Sequence, residues 1–360
     1  MNKKRLPLIA LFILTGLILT ACSGASFQTT SWPGMTLHEG DLYVAYQSHI
    51  FKLNPEFGTE RTRYPGEAEN GGPLFYSDPV FTEDGNIIAG TYNNTLLSID
   101  ASNFQLNWTY GNNNRFIAPP LVTTDAIYAP NADHDLYALD HNMNILWVFE
   151  TEKPIWASPI TDGEYIYVIS MDHNLYALNP RSGAMAWSIE LSGTVVSSPA
   201  LSEDGIFYIS TFNSELMAIN SSTRNILWTI PIEGWGWGSP VVVDGIVYLT
   251  DLSGTLYAVN ADNGVIEWFY AGDGEAPGSP LVTEDSVIFN TSLANVYNLA
   301  LDGTLRWNRS YTTEDEDEAG IYGTPIQVGD LYIFGKVNSE AILFAIDSNG
   351  TTQWEFSPEK

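Results

Sequence analysis

Residues able to do chemistry occur in three settings in this chain. Asp133-His134-Asp135 and Asp172-His173 hold matching places in successive stretches of the sequence, and His49 and Asp251 hold comparable places elsewhere. Imidazoles beside carboxylates ligate a metal only if they converge at about 2.0–2.2 Å from the ion. The simpler use of Asp and His in such stretches is to form solvated turns. A second setting is the run Glu314-Asp315-Glu316-Asp317-Glu318. It attracts Ca²⁺ but lacks the spaced Asp-x-Asp-x-Asp-Gly pattern, so a solvated loop is expected. Aromatics form the third: Tyr76, Phe116, Trp156, Trp235, Trp237 and Tyr322, with Gly234-Trp235-Gly236-Trp237-Gly238 the most unusual stretch. Glycines on both sides let two indoles swing out for sugar or peptide stacking. The simpler expectation is that they cap an apolar core. No Gly-x-Ser-x-Gly, His-Glu-x-x-His or phosphate loop occurs, so no catalytic residue, metal or cofactor is assigned.

One cysteine, Cys22, is present. It allows neither an intrachain disulfide nor a cysteine-based metal site. The basic Asn2-Lys3-Lys4-Arg5, the apolar run from Leu6 to Leu19 and the small residues Thr20-Ala21 precede it. That run is short for a membrane span and has the form of a secretory segment. The ending Leu19-Thr20-Ala21-Cys22 resembles the bacterial lipoprotein signal box. The resemblance implies a signal peptide over 1–21, a lipidated Cys22 and a short tether over 22–30. Acyl chains worth about 0.8 kcal/mol per buried methylene then hold the body permanently at a membrane.

The formal net charge is −29, from 14 Lys plus Arg against 43 Asp plus Glu. A field of that sign repels nucleic acid and favours solubility. Hydrophobic residues at 44% and aromatics at 13% supply an ample core.

What must position these residues is a repeat. Pro33, Pro79, Pro120, Pro159, Pro199, Pro240, Pro280 and Pro325 are spaced by 46, 41, 39, 40, 41, 40 and 45 residues, mostly after Ser or Thr. Each is followed by a β-rich triplet such as Ile166-Tyr167-Val168 or Val247-Tyr248-Leu249, often after Asp-Gly. These triplets read as strands entered through tight turns. A Leu-Tyr-Ala-Leu strand follows, ending in Asn or Asp: Asn54, Asp100, Asp140, Asn179, Asn220, Asn260 and Asp347, with Ala300 the exception. A short acceptor there bonds backbone amides two residues on and starts a turn. Last comes tryptophan, at 108, 147, 187, 228, 268, 307 and 354, with Thr62 in its place in the first unit. A bulky aromatic at one spot in every unit is packing between units, not a stacking platform. A period near forty without helical patterning points to radial repetition of a β unit. The expected fold is all-β, an eight-bladed β-propeller of four-stranded antiparallel blades over 31–360.

Ala258-Val259-Asn260 through Gly264 to Trp268, and Ala177-Leu178-Asn179 through Ser182-Gly183 to Trp187, resemble the tryptophan-docking motif of the PQQ-like, quinoprotein-type propeller family. The resemblance spans the chain from residue 31 on. The lipobox, short tether and eight blades together resemble its outer-membrane assembly lipoproteins of BamB type. That likeness implies a membrane-anchored, extracytoplasmic, non-catalytic scaffold that binds protein partners. Its place would be the periplasmic side of an outer membrane, or the cell surface in a single-membrane cell. The quinone enzymes of the family use a vicinal disulfide, Ca²⁺ and a catalytic Asp, and a lone Cys22 cannot supply the first. A carbohydrate or peptide binder is the alternative, and a quinoprotein-like enzyme the remoter one. The contact candidates lie where the repeat is broken: Trp156, Trp235, Trp237, Phe116, Tyr322, His134, His173, Asp172 and Asp251.

Overall fold

A computed structural model describes residues 32–66, 72–312 and 318–359. The signal-like segment, Cys22 and the tether, and residues 314–317 of the acidic run, lie outside the described residues.

The β-rich triplets become the second strand of each unit, and these strands are buried on both sides, as in Ile166–Ser170. A strand covered on both faces reads as an unbroken apolar run instead of an alternation. The fourth strands do alternate; in Met185–Glu190 only Trp187 is buried. Each unit pairs four strands antiparallel in chain order, and eight such sheets form. They occupy residues 34–64, 80–111, 121–150, 160–190, 200–231, 241–271, 281–310 and 326–356, called blades 1 to 8. The first strands of neighbouring blades touch, as blades 1 and 8 do, so the first strand is innermost.

The core lies between the blades. Eight apolar clusters each join one blade to the next, for example Tyr167, Ile169 and Trp187 of blade 4 with Phe207 and Ile219 of blade 5. One of them joins Met35, Val44 and Phe51 of blade 1 to Leu343 and Trp354 of blade 8, so the ring is closed. The fold is the eight-bladed propeller that the columns specify.

The docking motif acquires a mechanism. Nε1 of Trp147, Trp228, Trp268 and Trp307 donates at 2.9 Å to the carbonyls of Pro180, Ala261, Leu301 and Ser348 in the following blade. The indole lies against that blade's glycine, and a Cβ on Gly183 would sit 2.6 Å from the Trp147 ring. Gly183 also takes φ +68°, a conformation costly for other residues. The Asx column makes the expected turns, with Asn179 Oδ1 accepting from the N–H groups of Arg181 and Ser182. Blade 1 lacks the indole: Thr62 does pair at the tryptophan register, opposite Lys52. Lys52 bonds Asp41 at 3.2 Å and lies over the Tyr43 ring instead.

Candidate functional site

In each blade the turn after the second strand lies on the same face as the connection from the preceding blade. The hydrogen bonds that join them establish this. Asp251 is fully buried and accepts from Gly234 N–H at 2.6 Å, and Leu252 N–H donates to the Trp235 carbonyl. Asp172 Oδ2 likewise accepts from Glu152 N–H at 3.0 Å and from the Tyr176 hydroxyl at 2.8 Å. Both carboxylates, proposed as contacts from the sequence, are therefore clasps that hold a connection onto a turn. The tyrosine of the third strand shares in this: Tyr257 donates to Asp251, and Tyr137 to Asp133 and Asp135. Burial, with the neighbouring Asp251 charge adding to it, pushes the Tyr257 phenol up to about 12.

His134 and His173 sit at matching turn positions with φ of +83° and +72°. Their carbonyls accept from Thr151 and Leu191 N–H, and His173 Nε2 meets Thr194 Oγ1 at 2.9 Å. Among the described residues no group of three or more His, Cys, Asp or Glu is placed to hold a metal ion.

The connections themselves run extended toward the axis, and their side chains alternate in facing, as extended chain must. Four residues before six of the prolines stand Phe75, Phe116, Ile155, Val195, Ala276 and Ile321, all buried in the core. Three residues before it stand Tyr76, Ile117, Trp156, Val196, Trp237, Pro277 and Tyr322, and all of these line one central cavity of about 770 Å³. This corrects the sequence reading of Phe116, which is 1% exposed and packs against Tyr137 within the core. It falls one residue short of the cavity register, and Ile117 takes the wall position.

The Gly234–Gly238 stretch is also corrected. Its indoles do not cap the core: Trp237 lines the cavity, and Trp235 is 55% exposed. Phe212 stacks with both, at centroid distances of 5.3 and 5.6 Å. The glycines answer close approach, not a need to swing. A Cβ on Gly234 would lie 2.3 Å from Ser253 N, and one on Gly236 2.3 Å from Ser210 Cβ.

Sequence reasoning missed four wall residues: Trp32, Asp78, Tyr92 and Glu275. Their signal was faint but present for Asp78, a charge in the column that reads Ser or Thr before proline in five of the eight units. That column stitches the inner ring. Ser158 N–H donates to Ser198 Oγ, Ser239 N–H to Ser279 Oγ and Ser279 N–H to Thr324 Oγ1, at 3.1, 2.9 and 3.1 Å. Asp78 Oδ1 accepts from Met35 N–H at 2.8 Å. The blades that surround Asp78 raise its pKa to about 6 by desolvation, against the pull of the Met35 bond. Its carboxylate still opens onto the cavity, so that desolvation is partial.

With this geometry in hand, known proteins give the context. The model of the family described as outer membrane protein assembly factor BamB matches residues 47–196, 152–229 and 195–359, nearly the whole propeller. The chain belongs to this family. BamB from Moraxella catarrhalis has a similar structure, with 15% identity and a TM-score of 0.71, covering 89% of this chain and 96% of that one. The computationally designed Ika8 protein is equally similar in shape at 11% identity, with a TM-score of 0.72 over 91% and 96% of the two chains. At such identities the likeness is one of fold. No curated protein matches the chain.

Proposed function

We propose that this chain is an extracytoplasmic lipoprotein, anchored through Cys22, whose propeller is a non-catalytic scaffold for a protein partner in envelope assembly. The observation that carries the reading is the BamB family match across all the blades after the first. The face bearing Trp235 supports it. There the connections are clasped to turns by Asp172 and Asp251, which makes a fixed surface with an exposed aromatic of the kind that anchors interfaces. A photo-crosslinking residue in place of Trp235, in cells, should trap an envelope protein. The same residue at exposed Asp244, on a turn after an inner strand and so on the opposite face, should not. Equal capture from both faces, or from neither, would sink the reading. Metabolic labelling with palmitate, lost in Cys22→Ser, tests the anchor separately.

A carbohydrate-binding reading rests on the Trp235–Phe212–Trp237 stack alone. Replacing both tryptophans with Ala should abolish any glycan-array signal; a signal that survives removes this reading. The quinone-enzyme reading fits the residues poorly. The quinone is a tricarboxylate, whereas the described cavity lining offers Asp78 and Glu275 and no Lys, Arg or His. Like charges in an enclosed site repel.

A further inference from the structure

The central cavity has a chemical character that the scaffold role does not use. Its described lining carries two carboxylates, Asp78 and Glu275, and no cation. Asp78 forms one hydrogen bond, through Oδ1 to Met35 N–H, and no ion pair. Beside it, Trp32, Tyr76 and Tyr92 form a continuous arc, with centroids 6.1 and 4.6 Å apart. Trp156, Trp237 and Tyr322 complete an aromatic wall.

We propose that this cavity binds an organic cation, a primary ammonium or a guanidinium group on a narrow chain. Two features select that chemistry. Ring faces carry negative electrostatic potential and attract such a group within about 6 Å. The carboxylates supply the opposite charge in a partly desolvated space, where it counts for more than in bulk water. Tyr92 already takes a cation on one face: the Arg115 guanidinium lies 3.8 Å over its ring and donates to its hydroxyl. Anions are repelled by both the wall and the net charge of −29. A hard metal ion prefers about six or more oxygen ligands, and no group of even three acids and histidines converges among the described residues. The cation comes either from a Lys or Arg side chain of a peptide or from a free polyamine. The inference does not depend on the assembly role.

Calorimetric titration of the full chain, in about 0.15 M salt to screen diffuse attraction, tests it. The probes are n-butylammonium, neutral n-butanol, spermidine and the peptide acetyl-Gly-Lys-Gly-amide. Butylammonium should saturate one site, and butanol should bind at least about tenfold more weakly. Asp78→Asn and Glu275→Gln should each weaken the cation roughly fivefold or more. The amide introduced by Asp78→Asn keeps an oxygen for Met35 N–H, so an unchanged or raised melting temperature certifies the fold of that variant. Glu203→Gln, at an exposed site away from the cavity, should leave affinity within about twofold. Tighter binding of the peptide than of spermidine assigns the cation to a partner protein; the reverse assigns it to a free polyamine. Equal binding of butanol and butylammonium, or a loss in Glu203→Gln as large as in Asp78→Asn, overturns the proposal.

Discussion

Gly183 is required twice over, by its φ of +68° and by the Trp147 ring 2.6 Å from where a Cβ would stand. Gly183→Ala should therefore cost about 1–3 kcal/mol, read as a lowered urea midpoint. Gly85, also at positive φ but with open space around it, isolates the backbone part of that cost. Asp78 behaves in the opposite way. Its folded-state pKa, near 6, lies above the ordinary 3.8, so the fold holds the proton more tightly than the unfolded chain does. Stability present below pH ~4 is lost as pH rises through about 6. Asp78→Asn should thus raise the melting temperature at pH 7, by roughly 1–3 °C given the carboxylate's contact with cavity water, and leave it unchanged at pH 4. A variant that gains stability while losing cation affinity marks a residue kept for binding. Asp78 was legible only as a break in the Ser/Thr column, because its place on the cavity wall depends on residues of other blades.

Connections and turns are the elements that shape the face, and Asp251 is the firmest joint between them. It accepts from the N–H groups of Gly234, Ser253 and Thr255 and from the hydroxyls of Ser253 and Tyr257. Asp251→Ala takes the acceptor from those donors, of which the buried Thr255 and Tyr257 cannot turn to water, at a cost of about 2–4 kcal/mol. Amides of 233–238 should then exchange with deuterium roughly tenfold faster, while blade 2 is unaffected. No change in that segment would show the clasp to be redundant. The strands and the Asx turns could be read from the sequence because each is a local pattern repeated in every unit. The facing of Phe116 and Trp156 could not be read from residue type, since both are aromatics in the same kind of connection. Counting back from proline separates them: four residues is core, and three is cavity. The clasps were hidden because each joins segments about 17–20 residues apart that meet only after the blades stack.

At the scale of the whole molecule, every sheet is built from one continuous stretch of chain, and among the described residues no blade borrows a strand from the other terminus. Ring closure therefore rests on side chains between blades 1 and 8, the Trp354 Nε1 bond to Pro55 O at 3.1 Å and the bond from Arg63 to Glu359 O. Joining residue 359 to residue 32 through a linker of about six residues, and opening the chain between Glu152 and Lys153, should give a permuted protein that still folds. Its melting temperature should stay within a few degrees of the parent's. Loss of cooperative unfolding would show that the order of the blades matters beyond their contacts. The eightfold count was legible from the proline spacing. The cavity was not, because it exists only once the ring has closed.

The junction without a covalent crossing has a mechanical meaning as well. Seven junctions are spanned by backbone, so their blades cannot part without drawing chain between them. The eighth can part like a clasp, at the cost of the side-chain contacts between blades 1 and 8 and the bonds of Trp354 to Pro55 and Arg63 to Glu359. The described chain begins at Trp32, beside the innermost strand Gly34–His38 of that same junction and on the cavity wall. A load applied through residue 32 thus falls first on the one seam able to open. In a single-molecule pulling experiment, the earliest extension should come from blade 1 leaving blade 8.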